Sequence, residues 1–441
     1  MGIMSDVRRV RRQQHSLLNR LRSCASDADF VSEFHAGHLS GLTVFANLRQ
    51  GQWYTPPDAM TCHFKSSDGH CGAWKFNPRR VNVHLVAEAI RGGGLIIVDS
   101  TRKGKRVPDS FSRTIPIWAT VLNRIAQRRT GREFDTGLHM HGSVSEREKV
   151  LVEDHIEEFI SVVVNSCCDL SVLDLLTRPL RCIWVDRSSV WTDVQHRAFS
   201  ERYLAVICLT TSFCESEVAQ HDRQGWHYIQ GAGDDHENWS GKLTPSTFAR
   251  HRGWILSADS DEECLRRIDA LATEGNGRSL AGTSLVSIGS TEITIRLHVA
   301  LSVLPTDGAT VFISTGALSD PDVRPDVYAV HVSDVKGRRP SLETALGGIL
   351  DFCLQWPTVT IASDRDAVLP GCVAVAILSR YFTGLGDELK RGARGDGPAL
   401  SKERIRRHIE YVQRFIPGWN PPRFLVQQLN RFFLGDPAFR H

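Results

Sequence analysis

The sequence predicts an α/β protein of two or three domains, the number that 441 residues ordinarily make. Two observations carry the fold class. Short, wholly apolar runs of strand length recur, among them Leu95-Ile96-Ile97-Val98, Cys182-Ile183-Trp184-Val185 and Ala205-Val206-Ile207-Cys208-Leu209. Between them lie stretches with helical spacing, opened and closed by Gly, Pro and Ser.

Residues 1–25 read as a basic arm, in which Leu17, Leu18 and Leu21 can form part of an amphipathic helix lying on RNA; a partly disordered tail is the alternative. Phe30 to Leu48 reads as helix and turn. Gly92-Gly93-Gly94 turns into the strand Leu95–Val98, and Ile115-Pro116-Ile117-Trp118 opens a helix through Leu122. Asp135 to Ser143 reads as a loop, its His139 and His141 surface residues rather than metal ligands. Ser145 and Glu148 form a capping box. It opens one amphipathic helix with Leu151, His155, Ile156, Phe159, Ile160 and Val163 on its apolar face. A short helix around Val172 to Leu176 precedes the strands at Cys182 and Ala205.

A strand at Thr291 to Leu297 falls in the stretch of about 280–310 where the domain junction is expected, with the division taken at residue 300. Beyond it, Val327–Val332 and Thr358–Ala362 read as strands, and Leu342–Trp356 and Gly371–Phe382 as helices. Two C-terminal helices flank Pro421-Pro422, which interrupts the chain.

The net charge is only +3, but it is patchy. Residues 1–22 carry six Arg and one acid, residues 101–132 nine Arg or Lys and one acid, and residues 390–407 seven against two. Such patches on a near-neutral chain point to an anionic partner met by particular faces. The eleven Cys include no C-x-x-C pair, so neither zinc spacing nor a disulfide framework is supported, and Cys62, His63, His70 and Cys71 make a poor metal set. Reduced thiols are the default of a cytosolic or nuclear protein, and a cytoplasmic one is expected. No apolar run is long enough to span a bilayer, and the N-terminus lacks the apolar core of a signal peptide.

Site-type residues concentrate in Phe64 to Asn123. Lys65, Asp68 and His70 sit in a Gly-containing turn, and Asn77, Arg79 and Arg80 follow an aromatic pair. The strand Leu95–Val98 delivers Asp99, Ser100 and Thr101 to its C-terminal edge, where open α/β sheets bind ligands. Arg102, Lys103, Lys105 and Arg106 follow, and guanidinium forks and ammonium groups are what phosphate oxygens need. A second motif runs Tyr228-Ile229-Gln230-Gly231-Ala232-Gly233-Asp234-Asp235-His236-Glu237 to Trp239. Its paired carboxylates can hold Mg²⁺ or take a proton from a hydroxyl.

These blocks resemble one family, the initiator tRNA phosphoribosyltransferases, or tRNA 2'-O-ribosylphosphate transferases. The matching pieces are Phe64–His70, Trp74-x-Phe76-Asn77-x-Arg79-Arg80-x-Asn82-x-His84-Leu85, Ile97–Arg102 with Gly104-Lys105-Arg106, Thr114–Trp118, and the Gly-Ala-Gly-Asp-Asp block at Gly231. The likeness spans residues 60–435. It implies transfer of a phosphoribosyl group from 5-phosphoribosyl 1-diphosphate to the ribose 2'-OH of the adenosine at position 64 of initiator tRNA. Phosphate contacts are then expected from Lys65, Arg79, Arg80, Asp99, Ser100, Thr101, Arg102, Lys105 and Arg106, and a Mg²⁺ site from Asp234 and Asp235, with Asp99 as runner-up. Asp68, His70, His236 and Glu237 are candidates for the base. RNA backbone contacts are expected from Arg113, Arg404, Arg406 and Arg407, with binding that weakens steeply as salt rises.

The resemblance also implies that residues 26–300 form a larger mixed α/β domain and 301–441 a smaller, dual-specificity-phosphatase-like α/β domain. A working phosphatase of that kind needs Cys-x5-Arg, and no Cys here has Arg six positions later. The loop after Thr358–Ala362 offers Ser363 and Arg365 instead, expected at most to contact phosphate.

Overall fold

The computed structural model describes residues 16–435 except 49, 71, 103, 214–225, 275–283, 298–303, 305–307, 317–323, 334, 365–367, 385–388, 393–399 and 417–418. The chain divides into two compact units, one of residues 1–164 and 170–277, the other of 165–169 and 278–441. Both are α/β.

The first unit opens with α1 (Leu17–His38), which starts inside the expected arm. Ser16 caps it through the Asn19 amide, and the carboxylate of Asp261 accepts from the amides of Leu17 and Leu18, each at 3.0 Å. Leu18, Leu21, Cys24, Val31 and Phe34 are buried in the core. These leucines therefore face protein, not RNA. Asp261 begins α8 (Asp261–Glu274), the partner that the helix start depends on.

Five strands follow: β1 (Thr43–Asn47), β2 (Met60–Cys62), β3 (Gly94–Asp99), β4 (Leu180–Val185) and β5 (Leu204–Thr210). They form one sheet of order β2-β1-β3-β5-β4, with every pair parallel. Every residue of β3 and β5 is buried, which explains their continuous apolar runs: a parallel strand covered on both faces has no polar side to alternate with. The chain leaves β1 toward β2 on one side and returns to β3 on the other. That reversal opens a crevice at the C-terminal ends of β1 and β3.

Connecting helices are α2 (Val83–Gly92), α3 (Ile115–Thr130), α4 (Glu146–Glu153), α5 (Ile156–Val164), α6 (Asp193–Arg202) and α7 (Pro245–Leu256). A π-turn, Ser110–Thr114, precedes α3. The single amphipathic helix expected from Ser145 onward is two. Ser145 caps α4 as expected, but Glu148 turns away to Arg113, Leu151 is exposed, and of the expected apolar face only the α5 residues Ile156, Phe159, Ile160 and Val163 are buried.

The second unit holds a sheet of order β6-β7-β10-β8-β9. Its strands are β6 (Ser284–Ser287), β7 (Ile293–Leu297), β8 (Ala309–Ser314), β9 (Val327–His331) and β10 (Val359–Ser363), parallel except for β6 with β7. The division falls at the start of the stretch expected for it, between residues 277 and 278, because β7 pairs with β10 and belongs to the second sheet. Four helices pack with it: α9 (Leu342–Leu354), α10 (Leu369–Tyr381), α11 (Lys402–Phe415) and α12 (Arg423–Gly435). Nearly all of α10 is buried, which makes it the centre of this core.

Candidate active site

The crevice of the first sheet is built around Asn47, the last residue of β1. Its amide Nδ2 donates to Phe64 O (3.0 Å) and to Asp99 Oδ2 (2.8 Å), and its Oδ1 accepts from Phe64 N (2.8 Å). One fully buried side chain thereby joins the ends of β1 and β3 to the start of the Lys65–His70 turn. Asn47→Ala leaves the Asp99 carboxylate and both Phe64 backbone groups short of a partner. The expected loss is about 2–3 kcal/mol of unfolding free energy in urea; a loss under about 1 kcal/mol contradicts this pinning role.

Asp99 is itself fully buried. Its Oδ1 accepts from Ser100 N (2.8 Å) and its Oδ2 from Ser110 Oγ (3.2 Å). Ser100 and Thr101 are buried with it. The expectation that Asp99, Ser100 and Thr101 meet phosphate, with Asp99 a second metal ligand, is corrected. The Asp99 oxygens are turned inward onto Asn47, Ser110 and the Ser100 amide and fasten the strand's exit, while the buried Ser100 hydroxyl has no hydrogen-bond partner among the described residues.

The Gly231–Asp235 turn lies against that exit and is fastened three times. Gln50 Nε2 donates to Ser100 O (2.6 Å), Tyr54 OH to Gln50 Oε1 (3.2 Å), and Gly233 N to Tyr54 OH (2.9 Å). Gln230 accepts from Gly104 N (2.8 Å) and donates to Lys105 O (2.9 Å). Arg102 forks onto two carboxylates, Nε 2.7 Å from Asp234 Oδ2 and Nη1 2.8 Å from Asp235 Oδ2. Gly231 has φ +66°, and a Cβ there would stand 2.7 Å from Thr101 O, so glycine is required. Asp235 takes the left-handed conformation, φ 50°, which Asp tolerates better than most residues.

Arg20, in the former arm, donates to Ala232 O (3.2 Å) and lies over the Trp239 ring. Trp239 Nε1 donates to Asp234 O (3.0 Å), and Trp53 packs on both Trp239 and His236.

Between this turn and the first motif lies a cleft of about 380 Å³. His63, Lys65, Ser66 and Ser67 line one side, and Asp234, Asp235, His236 and Asn238 the other. Motifs some 170 residues apart in sequence thus share one cleft. Burial, with Arg80, Lys65 and Arg79 nearby, pushes the His63 imidazole down to about 3, so it stays neutral at physiological pH. Sequence reasoning missed His63 and Gln230 as site residues; Gln230 stood within a quoted motif and His63 just before one, weighed only in a poor metal set, and neither carries a charge that advertises it. Among the described residues, no group of three or more His, Cys, Asp or Glu is arranged to hold a metal. Asp234 and Asp235 do converge on one cation, the guanidinium of Arg102, as a two-carboxylate Mg²⁺ site requires.

The other expected residues separate into groups. His70, Lys65, Lys105 and Arg106 are exposed, and Lys105 pairs with Asp109 (2.9 Å). Arg79 is half-buried, and the side chain of Glu237 lies outside the described residues. Asp68 is buried and its Oδ2 accepts from Arg80 Nε (3.0 Å) and Nη2 (2.5 Å), beside a pocket of about 20 Å³, room for one water. Asp68 and Arg80 thus pair through Oδ2 alone, and the buried Asp68 Oδ1 has no hydrogen-bond partner among the described residues.

Arg113 is corrected as an RNA contact. It pairs two-pronged with Glu148 (2.7 and 3.0 Å) and with Asp109. In the second unit Arg404 is buried and donates to Phe382 O (3.0 Å) and Gly384 O (3.3 Å), so it secures a turn rather than RNA. Arg406 and Arg407 pair with Glu403 yet keep part of their surface exposed. Ser363 is buried at the end of β10, which corrects it as a phosphate contact in this conformation, and Arg365 lies outside the described residues.

Fold and site together define a two-domain α/β protein whose first domain carries a cleft bearing a lysine and paired carboxylates at the switch point of a parallel sheet. Residues 10–273 match the family model described as the Rit1 N-terminal domain, and residues 326–433 match the Rit1 DUSP-like domain. An uncharacterized protein of Schizosaccharomyces pombe is 34% identical over 98% of this chain and 97% of its own length. The tRNA A64-2'-O-ribosylphosphate transferase of Saccharomyces cerevisiae is 30% identical over 58% of this chain, a match that spans about half (54%) of that enzyme. A mouse putative dual specificity phosphatase covers 37% of this chain and 94% of its own at 16% identity, with a TM-score of 0.25. The chain belongs to the Rit1 family, the one its motifs resemble.

Proposed function

We propose that the chain is a pentosyltransferase that moves a 5-phosphoribosyl group from 5-phosphoribosyl 1-diphosphate to the ribose 2'-OH of adenosine 64 in initiator tRNA. The observation that carries the reading is the meeting of Lys65–Ser67 and Asp234–His236 on one cleft at the sheet's switch point, in a chain of this family. In the reaction the bond from ribose C1 to diphosphate breaks, a bond from C1 to the acceptor 2'-oxygen forms, the 2'-OH proton goes to a base, and diphosphate leaves.

Asp234 and Asp235 would hold Mg²⁺, which when bound offsets charge on the departing diphosphate. Lys65 on the facing wall supplies positive charge beside that position, and the exposed Arg102, Lys105 and Arg106 are the further phosphate contacts. His236 lines the cleft and is the better placed of the base candidates; His70, though exposed, does not line it. An A-form stem is read through its phosphates and 2'-hydroxyls across the shallow minor groove, which suits basic patches on a near-neutral chain. Among the described residues no helix is long and apolar enough to cross a membrane. Free cysteines, Cys62, Cys182 and Cys208 among them, suit the reducing cytoplasm in which we place the protein.

The test is a transfer assay with purified protein, Mg²⁺, ribose-labelled donor and unmodified initiator tRNA, with an elongator tRNA beside it. Label is expected in the initiator alone. Salt-sensitive tRNA binding without any transfer refutes the enzymatic reading.

A further inference from the structure

We propose that Arg102 is a built-in placeholder for the divalent cation: it occupies Asp234 and Asp235 until a phosphate ligand draws it away, and the metal then takes its place. The inference rests on reading the aspartate pair as a metal site and is independent of which group the enzyme transfers.

Three features carry it. Asp234 is 7% exposed at its side chain, whereas Arg102 is 43% exposed and Asp235 59%. A carboxylate as buried as Asp234 needs a cation beside it, and Arg102, which meets it, sits on a long side chain with a path to solvent. Secondly, the fork is not needed to hold the two loops together. The Gln230 clamp and the Ser100–Gln50–Tyr54–Gly233 chain already do so through groups other than the Arg102 side chain. Thirdly, Arg102 belongs to the same short run as Lys105 and Arg106, whose exposed side chains suit phosphate.

The charge arithmetic favours exchange over simple addition. Two carboxylates with one guanidinium leave one negative charge. A divalent cation entering while Arg102 stays brings three positive charges against two negative within a few ångströms. Movement of Arg102 onto a phosphate neutralises both sites. Metal and phosphate should therefore bind with positive coupling, each strengthening the other.

The experiment measures Mn²⁺ binding to the full chain by the electron paramagnetic resonance signal of free Mn²⁺, without donor or RNA. Arg102→Gln is expected to bind Mn²⁺ about fivefold more tightly than the unaltered chain, the effect of removing two half-exposed ion pairs. Arg102→Lys, which keeps the charge but loses the fork, should fall between them. Adding Asp234→Asn to Arg102→Gln should abolish the gain. Millimolar inorganic phosphate should tighten Mn²⁺ binding to the unaltered chain but not to Arg102→Gln. Equal or weaker Mn²⁺ binding by Arg102→Gln overturns the exchange, as does phosphate coupling that survives in it. If the exchange fails while the unaltered chain transfers label, the transferase reading stands alone. If the exchange holds and no label moves, the metal site stands and the reaction is wrong.

Discussion

The double replacement Asp234→Ala, Asp235→Ala is expected to lower label transfer into initiator tRNA at least about 100-fold, while tRNA binding holds or strengthens. The direction follows from where these carboxylates sit. They lie across a cleft from Lys65, Ser66 and Ser67, and Arg102 forks onto both of them. Neither anchors the fold in the way Asp99 does, because the turn that carries them is held through backbone and glutamine contacts. The variant should therefore fold and lose chemistry. Removing two negative charges from a basic surface favours a polyanion, so tRNA affinity should rise or stay, and its salt dependence should persist. Transfer within a fewfold of normal would sink the assignment of this pair, and loss of transfer together with tRNA binding would place the aspartates in RNA recognition instead.

The contrast between Asp99 and Asp234 shows what the sequence could and could not disclose. Both are acids beside glycines and cations, and nothing in spacing separates them. Asp99 ends a strand buried on both faces, and Asn47 and Ser110, 52 and 11 positions away, take up its oxygens. The Arg102–Asp235 contact joins residues 133 positions apart. Motif reading can name both partners, but it cannot pair them, because pairing is set by which strand ends lie side by side. The strands of the sheet's middle were legible for a simple reason: continuous burial makes continuous apolar runs of strand length.

β1 was not legible, since Thr43-Val44-Phe45-Ala46-Asn47 carries polar ends and is short. The start of α1 was obscured by the arginines before it, and its buried Ser23 and Asp27 interrupt the apolar stripe. Asp154 and His155 break the helix that spacing continued from α4 into α5. In the second unit the apolar helix α10 was plain. The exact division was not, because β7 finds its parallel partner β10 some 65 residues later.

Asp27→Ala should cost about 3–5 kcal/mol of the first unit's stability, the largest effect expected from any single change outside the cleft. Asp27 lies on α1, fully buried, and is met by Arg187 (3.0 Å), by Tyr228 OH (2.8 Å) and by Thr211 Oγ1 (3.4 Å). Arg187 is held on both sides, its guanidinium 3.8 Å from the centre of Phe213 and 4.6 Å from that of Phe30. Truncating the aspartate strands that cation among aromatic rings and leaves the Tyr228 hydroxyl short of a partner. Burial pushes the Asp27 carboxyl up to about 7, against the opposing pull of Arg187, Tyr228 and Thr211.

The sign of the pH dependence follows. A folded-state pKa above the unfolded value of 3.8 means that the unfolded chain gives up its proton first as pH rises. Asp27's contribution is thus complete below about 4 and is lost progressively as pH climbs through 7. Tryptophan fluorescence suits the measurement, because eight of the ten tryptophans precede residue 277. Urea unfolding at pH 5 and pH 8 should show lower stability at pH 8, and Asp27→Asn, which keeps a hydrogen-bonding amide but cannot ionise, should reduce that difference. An unchanged slope in Asp27→Asn would assign the pH dependence to other groups, and a cost under about 1 kcal/mol for Asp27→Ala would mean that the aromatic rings and the carbonyls of Thr211 and Ser26 suffice to carry Arg187.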